Sequence, residues 1–276
     1  MTPAEHAQLA LLLEVAGTPK PGNVDRNRDL DDLRFEHFLA GGVGAGEGLR
    51  LAQSGAPVGE AFETAVAGMS QQSGGNTQFG CLLLLVPLVK ADCETELSQA
   101  GVESVVESTT VADAAGFYRA FEHVDVAVDD PPADAADLDV RRGADAVPTL
   151  ESRGLTLADV MALSADRDTN ARELVEGFPR TFETAESMLA DDGPILDRAA
   201  RAFLDLLADE PDTLVATQHG DEVAREVSER AAAVGHDLDA AEELAREFVA
   251  EGINPGTTAD QTASALYVAL RRGVPV

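Results

Sequence analysis

The sequence predicts an all-α fold, and three observations carry that prediction. Apolar residues recur at helical spacing along most of the chain, as in Leu9, Leu12, Leu13 and Ala16, or Leu196, Ala199, Ala200, Phe203 and Leu207. No series of alternating strands interrupts them. Only Val124-Asp125-Val126-Ala127-Val128 alternates, and Pro131-Pro132 follows it closely. Helix starts are also legible. Thr110 to Asp113 and Thr156 to Asp159 have the spacing of capping boxes, in which each end satisfies the other's free N–H. The expectation is one helical, bundle-like domain spanning residues 1–276, with roughly ten helices.

The elements follow in order. A first helix holds Leu9 to Ala16, and the loop Thr18-Pro19-Lys20-Pro21-Gly22-Asn23-Val24-Asp25 ends it. Two prolines stiffen that loop and withhold two N–H donors. After a charged stretch to Asp32, Phe35, Phe38 and Leu39 resume helical spacing, and Gly41, Gly42, Gly44 and Gly46 follow. Each glycine weakens a helix by about 1 kcal/mol. Either the helix breaks there, or another backbone or a ligand lies against it. Glu47 ends that cluster, facing solvent or a cavity.

Residues 58–70 read as the next helix, through Val58, Ala61, Phe62, Ala65 and Met69. Ser73 to Gly80 then turns into the apolar run Cys81 to Val89, the expected buried central helix, with Pro87 kinking or ending it. Asn76 or Thr77 caps that helix or meets a ligand. A helix from Thr110 to about Glu122 follows. Residues 124–148 are acidic, rich in alanine and proline, and read as an extended surface excursion. Beyond Thr156 a long helical region is expected to contain Asp166-Arg167-Asp168 and to divide at Gly177-Phe178-Pro179. Four patterned helices complete the chain, the last opening at Ile253 to Asp260.

Composition excludes several classes. Fifty acids face twenty bases, a net charge of −30. Such a surface repels nucleic acid and anionic membranes. Only two of the bases are lysines, Lys20 and Lys90. A well-patterned acidic globule matches adaptation to high salt, where repulsion is screened over roughly 3 Å at 1 M. No apolar run is long enough to span a membrane. Cys81 and Cys93 form neither a disulfide framework nor a zinc pattern, and with no secretory signal the expected setting is cytoplasmic. The P-loop and GxSxG signatures are absent, and the five histidines show no metal spacing.

Four polar clusters share one design, an irregular turn running into a helix start. They are Thr18 to Asp25, Gly74 to Gly80, Asp212 to Asp221, and Asn254 to Asp260. Brought to one end of a bundle, they would offer backbone amides to phosphates, carboxylates to a divalent ion, and one lysine. His219, within the third, reads as solvated or capping. For Asp212 and Asp260 the alternative is N-terminal capping, worth about 1 kcal/mol. Lys20 has its own alternative, a solvated surface lysine.

With these residues in place, the chain resembles the triphosphoribosyl-dephospho-CoA synthase family, and its archaeal branch in particular. The resemblance rests on Glu14-Val15 with Thr18 to Asp25, Gly75-Asn76-Thr77 with Gly80, Asp166-Arg167-Asp168, Pro211 to Leu214 with Gly220, and Asn254 to Asp260. It departs from the family at Gln78-Phe79 and Thr217-Gln218, where basic residues are usual. The resemblance implies a helical transferase that moves the triphosphoribosyl group of ATP to dephospho-CoA, or to another alcohol, with Mg²⁺ and with release of adenine. It implies ATP contacts at Lys20, Gly22, Asn23, Gly75, Asn76, Thr77, Asn254, Thr257 and Thr258, with Lys20 on a phosphate. It implies catalytic carboxylates at Asp25, Asp168 and Asp260, and metal ligands at Asp25 and Asp212. A non-catalytic nucleotide-binding or scaffold protein that kept the turns is the competing class.

Overall fold

The structure is a computed structural model that describes residues 1–131 and 133–276, with side chains described for all of these but 133 and 134. Pro132, part of the expected excursion, lies outside the described residues. Among the described residues there is no strand, only an isolated bridge between Asp25 and Arg28. Sixteen α-helices are present among the described residues, more than the roughly ten expected, because short polar turns divide what periodicity alone joins.

The first helices are α1 (Pro3–Ala16), α2 (Phe35–Gly44), α3 (Gly46–Gln53) and α4 (Val58–Met69). The glycine cluster resolves as close backbone approach. A Cβ on Gly44 would enter the carbonyl of Gly68 in α4, and one on Gly68 would enter that of Gly44. Glu47 is exposed. The central helix is α5 (Phe79–Glu94), buried from Cys81 to Ala91. It continues past Pro87 to Glu94 rather than ending there, and packs against α1, α3 and α4. Its neighbours α6 (Gln99–Glu107) and α7 (Val111–Ala120) follow, α7 with the expected Thr110–Asp113 capping box.

Two short 3₁₀ segments, Ala133–Leu138 and Val140–Ala146, precede α8 (Val147–Arg153) and α9 (Leu157–Ala162). The region 124–148 is therefore more than a surface excursion. Val124, Leu138 and Ala146 are buried, and the Tyr118 hydroxyl donates to the Leu138 carbonyl at 2.6 Å. The long helix expected beyond Thr156 is instead broken at 163–168. Asp168 stands as the N-cap of α10 (Thr169–Glu176), accepting from the N–H groups of Asn170 and Ala171. A short side chain that captures two first-turn donors starts a new helix rather than continuing an old one. Gly177 and Phe178 divide α10 from α11 (Pro179–Ala190), as expected, both with positive φ.

The remaining helices are α12 (Ile195–Asp209), α13 (Thr213–His219), α14 (Asp221–Val234), α15 (Leu238–Glu251) and α16 (Gly256–Arg271). Helix α16 lies against α1, α5, α11 and α12, so it shares the main core with α5. A second apolar cluster, including Phe203, Leu207, Val227 and Phe248, joins α12, α14 and α15. No helix among the described residues is long and apolar enough to cross a membrane.

Candidate active site

The four polar turns meet at one cavity of about 400 Å³. Asn23 comes from the proline loop, Asn76 and Thr77 from the second turn, Thr213 and Leu214 from the third, and Asn254, Thr257 and Asp260 from the fourth. The first turns of α5, α10, α13 and α16 all line it, through Gly80, Asn170, Thr213 and Thr257 among others. A helix start presents N–H groups and partial positive charge. Four helix starts border one space, but Asn76, Asp168 and Asp212 already take several of their first-turn N–H groups, so what they bring to an anion there is chiefly the partial positive charge of the helix ends.

The opposite wall is apolar. Phe79, Phe117 and Phe121 pack together, the Phe79 and Phe121 rings at 4.7 Å and the Phe117 and Phe121 rings at 5.2 Å. Val126, Val128, Leu138 and Val140 continue that wall, so residues 125–129 and 138–140 border one side of the cavity. Phe79 and Thr217-Gln218, where the sequence departs from the family's basic pattern, also line it. Gln78 is buried behind the wall, and its amide has no partner among the described residues.

The proline loop is tied down from several sides. Gly22 has φ +78, and a Cβ there would overlap the Ile253 carbonyl just ahead of α16. Asn23 donates to Asn254 Oδ1 at 2.9 Å, so the first and fourth turns touch directly. Lys20 does not reach the cavity as expected. Its side chain is fully buried, and its Nζ donates to Glu14 and to Asn23 Oδ1. The solvated alternative fails as well. The expectation of a phosphate contact is corrected, since the ammonium's partners are carboxylate and amide oxygens of the protein.

Asp25 is corrected in the same way. It is fully buried and accepts from Thr18 Oγ1 at 2.9 Å, Lys20 N at 3.2 Å, Asn27 N at 2.9 Å and Arg28 Nη1 at 2.6 Å. Both oxygens are satisfied, and Asp25 is not part of the cavity wall. It closes the loop. Arg28 then bonds both oxygens of Glu242 at 2.7 Å, fastening the loop to α15.

Asp212 also lies behind the wall. One oxygen caps α13 through Leu214 N and Val215 N, and the other accepts from Thr258 N and Thr258 Oγ1, both at 2.7 Å. It pins the starts of α13 and α16 together. Neither Asp25 nor Asp212 has a lone pair left facing the ligand space, so the pair does not fit Mg²⁺. No group of three or more His, Cys, Asp or Glu is arranged to hold a metal among the described residues. Thr258 is buried on Asp212, and Gly75 sits in an exposed turn with φ +70. Gly22, Gly75 and Thr258 are thus not lining residues. Asn23, Asn76, Thr77, Asn254 and Thr257 are.

Two expected carboxylates do face the cavity. Asp168 lines it while capping α10, with burial pushing its carboxyl up. Asp260 lies in the first turns of α16 and accepts from Cys81 Sγ at 3.1 Å and Asn170 Nδ2 at 2.8 Å. Burial raises its carboxyl to about 7, opposed by those two bonds and helped by the nearby charge of Glu14. A Cβ on Gly80 would collide with Asp260 Oδ2, so glycine is the residue that lets α5 come this close. Sequence reading did not single out Glu14, Cys81, Asn170 or the aromatic wall as site residues. Arg167 is the one lining cation among the described residues, against six lining acids.

The sequence matches the family of ATP:dephospho-CoA triphosphoribosyl transferases (CitG) over residues 1–274. This chain belongs to that family. Its fold is similar to a crystal structure from Archaeoglobus fulgidus described as a triphosphoribosyl-dephospho-CoA synthase. The TM-score is 0.70 and the identity 25%, over 85% of this chain and 99% of the other. No curated protein matches this chain.

Proposed function

We propose that this chain transfers the triphosphoribosyl group of ATP to the 2′-hydroxyl of 3′-dephospho-CoA and releases adenine. Family membership supports the reaction class. The observation that carries the reading is the meeting of four helix starts and a half-buried carboxyl, Asp260, in one cavity. The helix starts suit an intact triphosphate held as an anchor. The neighbouring carboxyl suits the glycosidic carbon, where positive charge develops as adenine departs.

Asp260 is the proton donor to adenine in this scheme. A carboxyl poised near 7 holds a proton at neutral pH and can release it in the transition state. Asn170 and Cys81 fix its orientation. Asn76, Thr77, Thr257 and Asn254 bind phosphate and ribose oxygens. Asp168 holds the start of α10 at the rim. Magnesium would be brought in on the ATP phosphates and would neutralise their charge, since that ion commonly uses substrate phosphates in place of a protein cage.

The acidic surface and the two free cysteines support a cytoplasmic, salt-adapted setting. The deciding experiment is adenine release from ATP with dephospho-CoA and Mg²⁺ in molar KCl. Stoichiometric adenine and a triphosphoribosylated product support the reading. ATP binding with no adenine released to any alcohol would instead return the chain to a nucleotide-binding role.

A further inference from the structure

Glu14 sits on the last turn of α1, at the cavity wall, with a relative exposure of 1%. One oxygen, Oε1, accepts from Lys20 Nζ. The other has no protein donor among the described residues, and it is not among the sealed polar atoms. Lys20 is held in turn. Its Nζ also donates to Asn23 Oδ1 at 3.1 Å and stands 5.9 Å from the centre of the Phe203 ring. The result is one carboxylate oxygen anchored from behind and one turned to the ligand space.

A plain packing role explains this poorly. A buried ion pair stabilises a fold little compared with two apolar side chains of the same volume, because both charges lose their hydration. What the pair does supply is a carboxylate held by a fixed counter-charge: of the six acids lining the cavity, Glu14 alone is paired with a lysine among the described residues. The ionisable groups around Glu14 are Lys20 and Asp25 of the proline loop, Cys81 of α5 and Asp260 of α16. Burial pushes the Glu14 carboxyl up, and the Lys20 ammonium pulls it back. Asp260 has no ammonium beside it. Two carboxyls at one cavity with different partners are a natural base and acid.

We propose that Glu14 is the general base of the transfer and that Lys20 is its positioning residue. The proposal rests on the transferase reading above. In the step, the acceptor hydroxyl oxygen bonds to C1′ of the ATP ribose. The C1′–N9 bond breaks and its electron pair goes to adenine. The hydroxyl proton passes to Glu14, and adenine takes up the proton of Asp260. Solvent then removes the proton from Glu14 and returns one to Asp260, so the cycle closes with no other reagent.

The test uses the full chain and three variants, Glu14→Gln, Lys20→Met and the double replacement. Each single variant leaves one buried group without its partner and is expected to melt lower. The double variant removes both charges and regains much of that loss. With a base role, turnover in the double variant stays down about 100-fold or more, while the ATP KM changes less than about threefold. Lys20→Met keeps the base but not its counter-charge, so its rate is expected to recover as pH rises, its acid limb displaced upward.

A double variant turning over within about threefold of the wild type overturns the proposal, as does a Lys20→Met pH profile superimposable on the wild type's. If the wild type itself releases no adenine, the transferase reading falls and the base with it. If the wild type is active and the double variant equally so, only the base falls.

Discussion

Replacing Asp260 with asparagine separates the stability of this protein from its chemistry. Burial raises the Asp260 carboxyl from 3.8 to about 7, so the native state holds a proton that the unfolded chain releases. The sign follows from linkage. Between those values the unfolded state binds fewer protons, so stability falls as pH rises and levels off above about 7. Each pH unit of that gap corresponds to about 1.4 kcal/mol. Between pH 5 and pH 8 the loss from this one group has a ceiling of roughly 3 kcal/mol. Asp260 is partly open to the cavity, and solvent there brings the expected loss nearer 1–2 kcal/mol. Asparagine has nearly the same shape and does not ionise. The Asn170 amide can turn its unpartnered Oδ1 to accept from the new side chain. Urea unfolding of both proteins at several pH values in molar KCl reads the difference directly. The advantage of Asp260→Asn should grow by 1–2 kcal/mol from pH 5 to pH 8 and then flatten. The same variant should lose adenine release at every pH. A stability difference independent of pH would refute the reasoning, because it would mean that Asp260 does not hold its proton in the folded state.

Other expectations can be checked on the same preparation. Wild-type adenine release should fall as pH rises through about 7, the value at which Asp260 loses its proton, and a rate still rising at pH 8 would contradict its acid role. Asp25→Asn should destabilise the fold by about 3 kcal/mol, measured by urea unfolding, because Arg28 loses a buried partner. Gly80→Ala should remain helical by circular dichroism and lose adenine release, since the new methyl displaces Asp260. Dilution from molar to millimolar KCl should lower helicity, because the net charge of −30 is then poorly screened. Helicity unchanged at low salt would remove the salt-adaptation argument.

Local rules account for what the sequence made legible. The apolar period of Leu196 to Leu207 specifies a helix with one buried face wherever it packs, and α12 has that face. Thr110 with Asp113, and Thr156 with Asp159, form their capping boxes because both partners lie within three residues of each other. The four turns were visible for the same reason. Proline, glycine and asparagine mark a turn by their own geometry, so the cavity-lining Asn23, Asn76 and Asn254 could be picked out in advance.

Roles within those turns depended on distant neighbours. Lys20 reads as a presented cation until Glu14, six residues earlier, is found folded against it. Asp25 and Asp212 read like metal ligands, yet Arg28 and Thr258 saturate them. Asp260 becomes a poised acid because packing buries it near Glu14, while Cys81 from α5 and Asn170 from α10 hold its orientation. By itself, the sequence determined the helices, the turns and the charge of this protein, since those follow from residues within a few positions of one another. Only the tertiary structure decided which polar groups face the ligand and which hold the loops, because burial and hydrogen-bond partners are set by residues as far apart as Cys81 and Asp260.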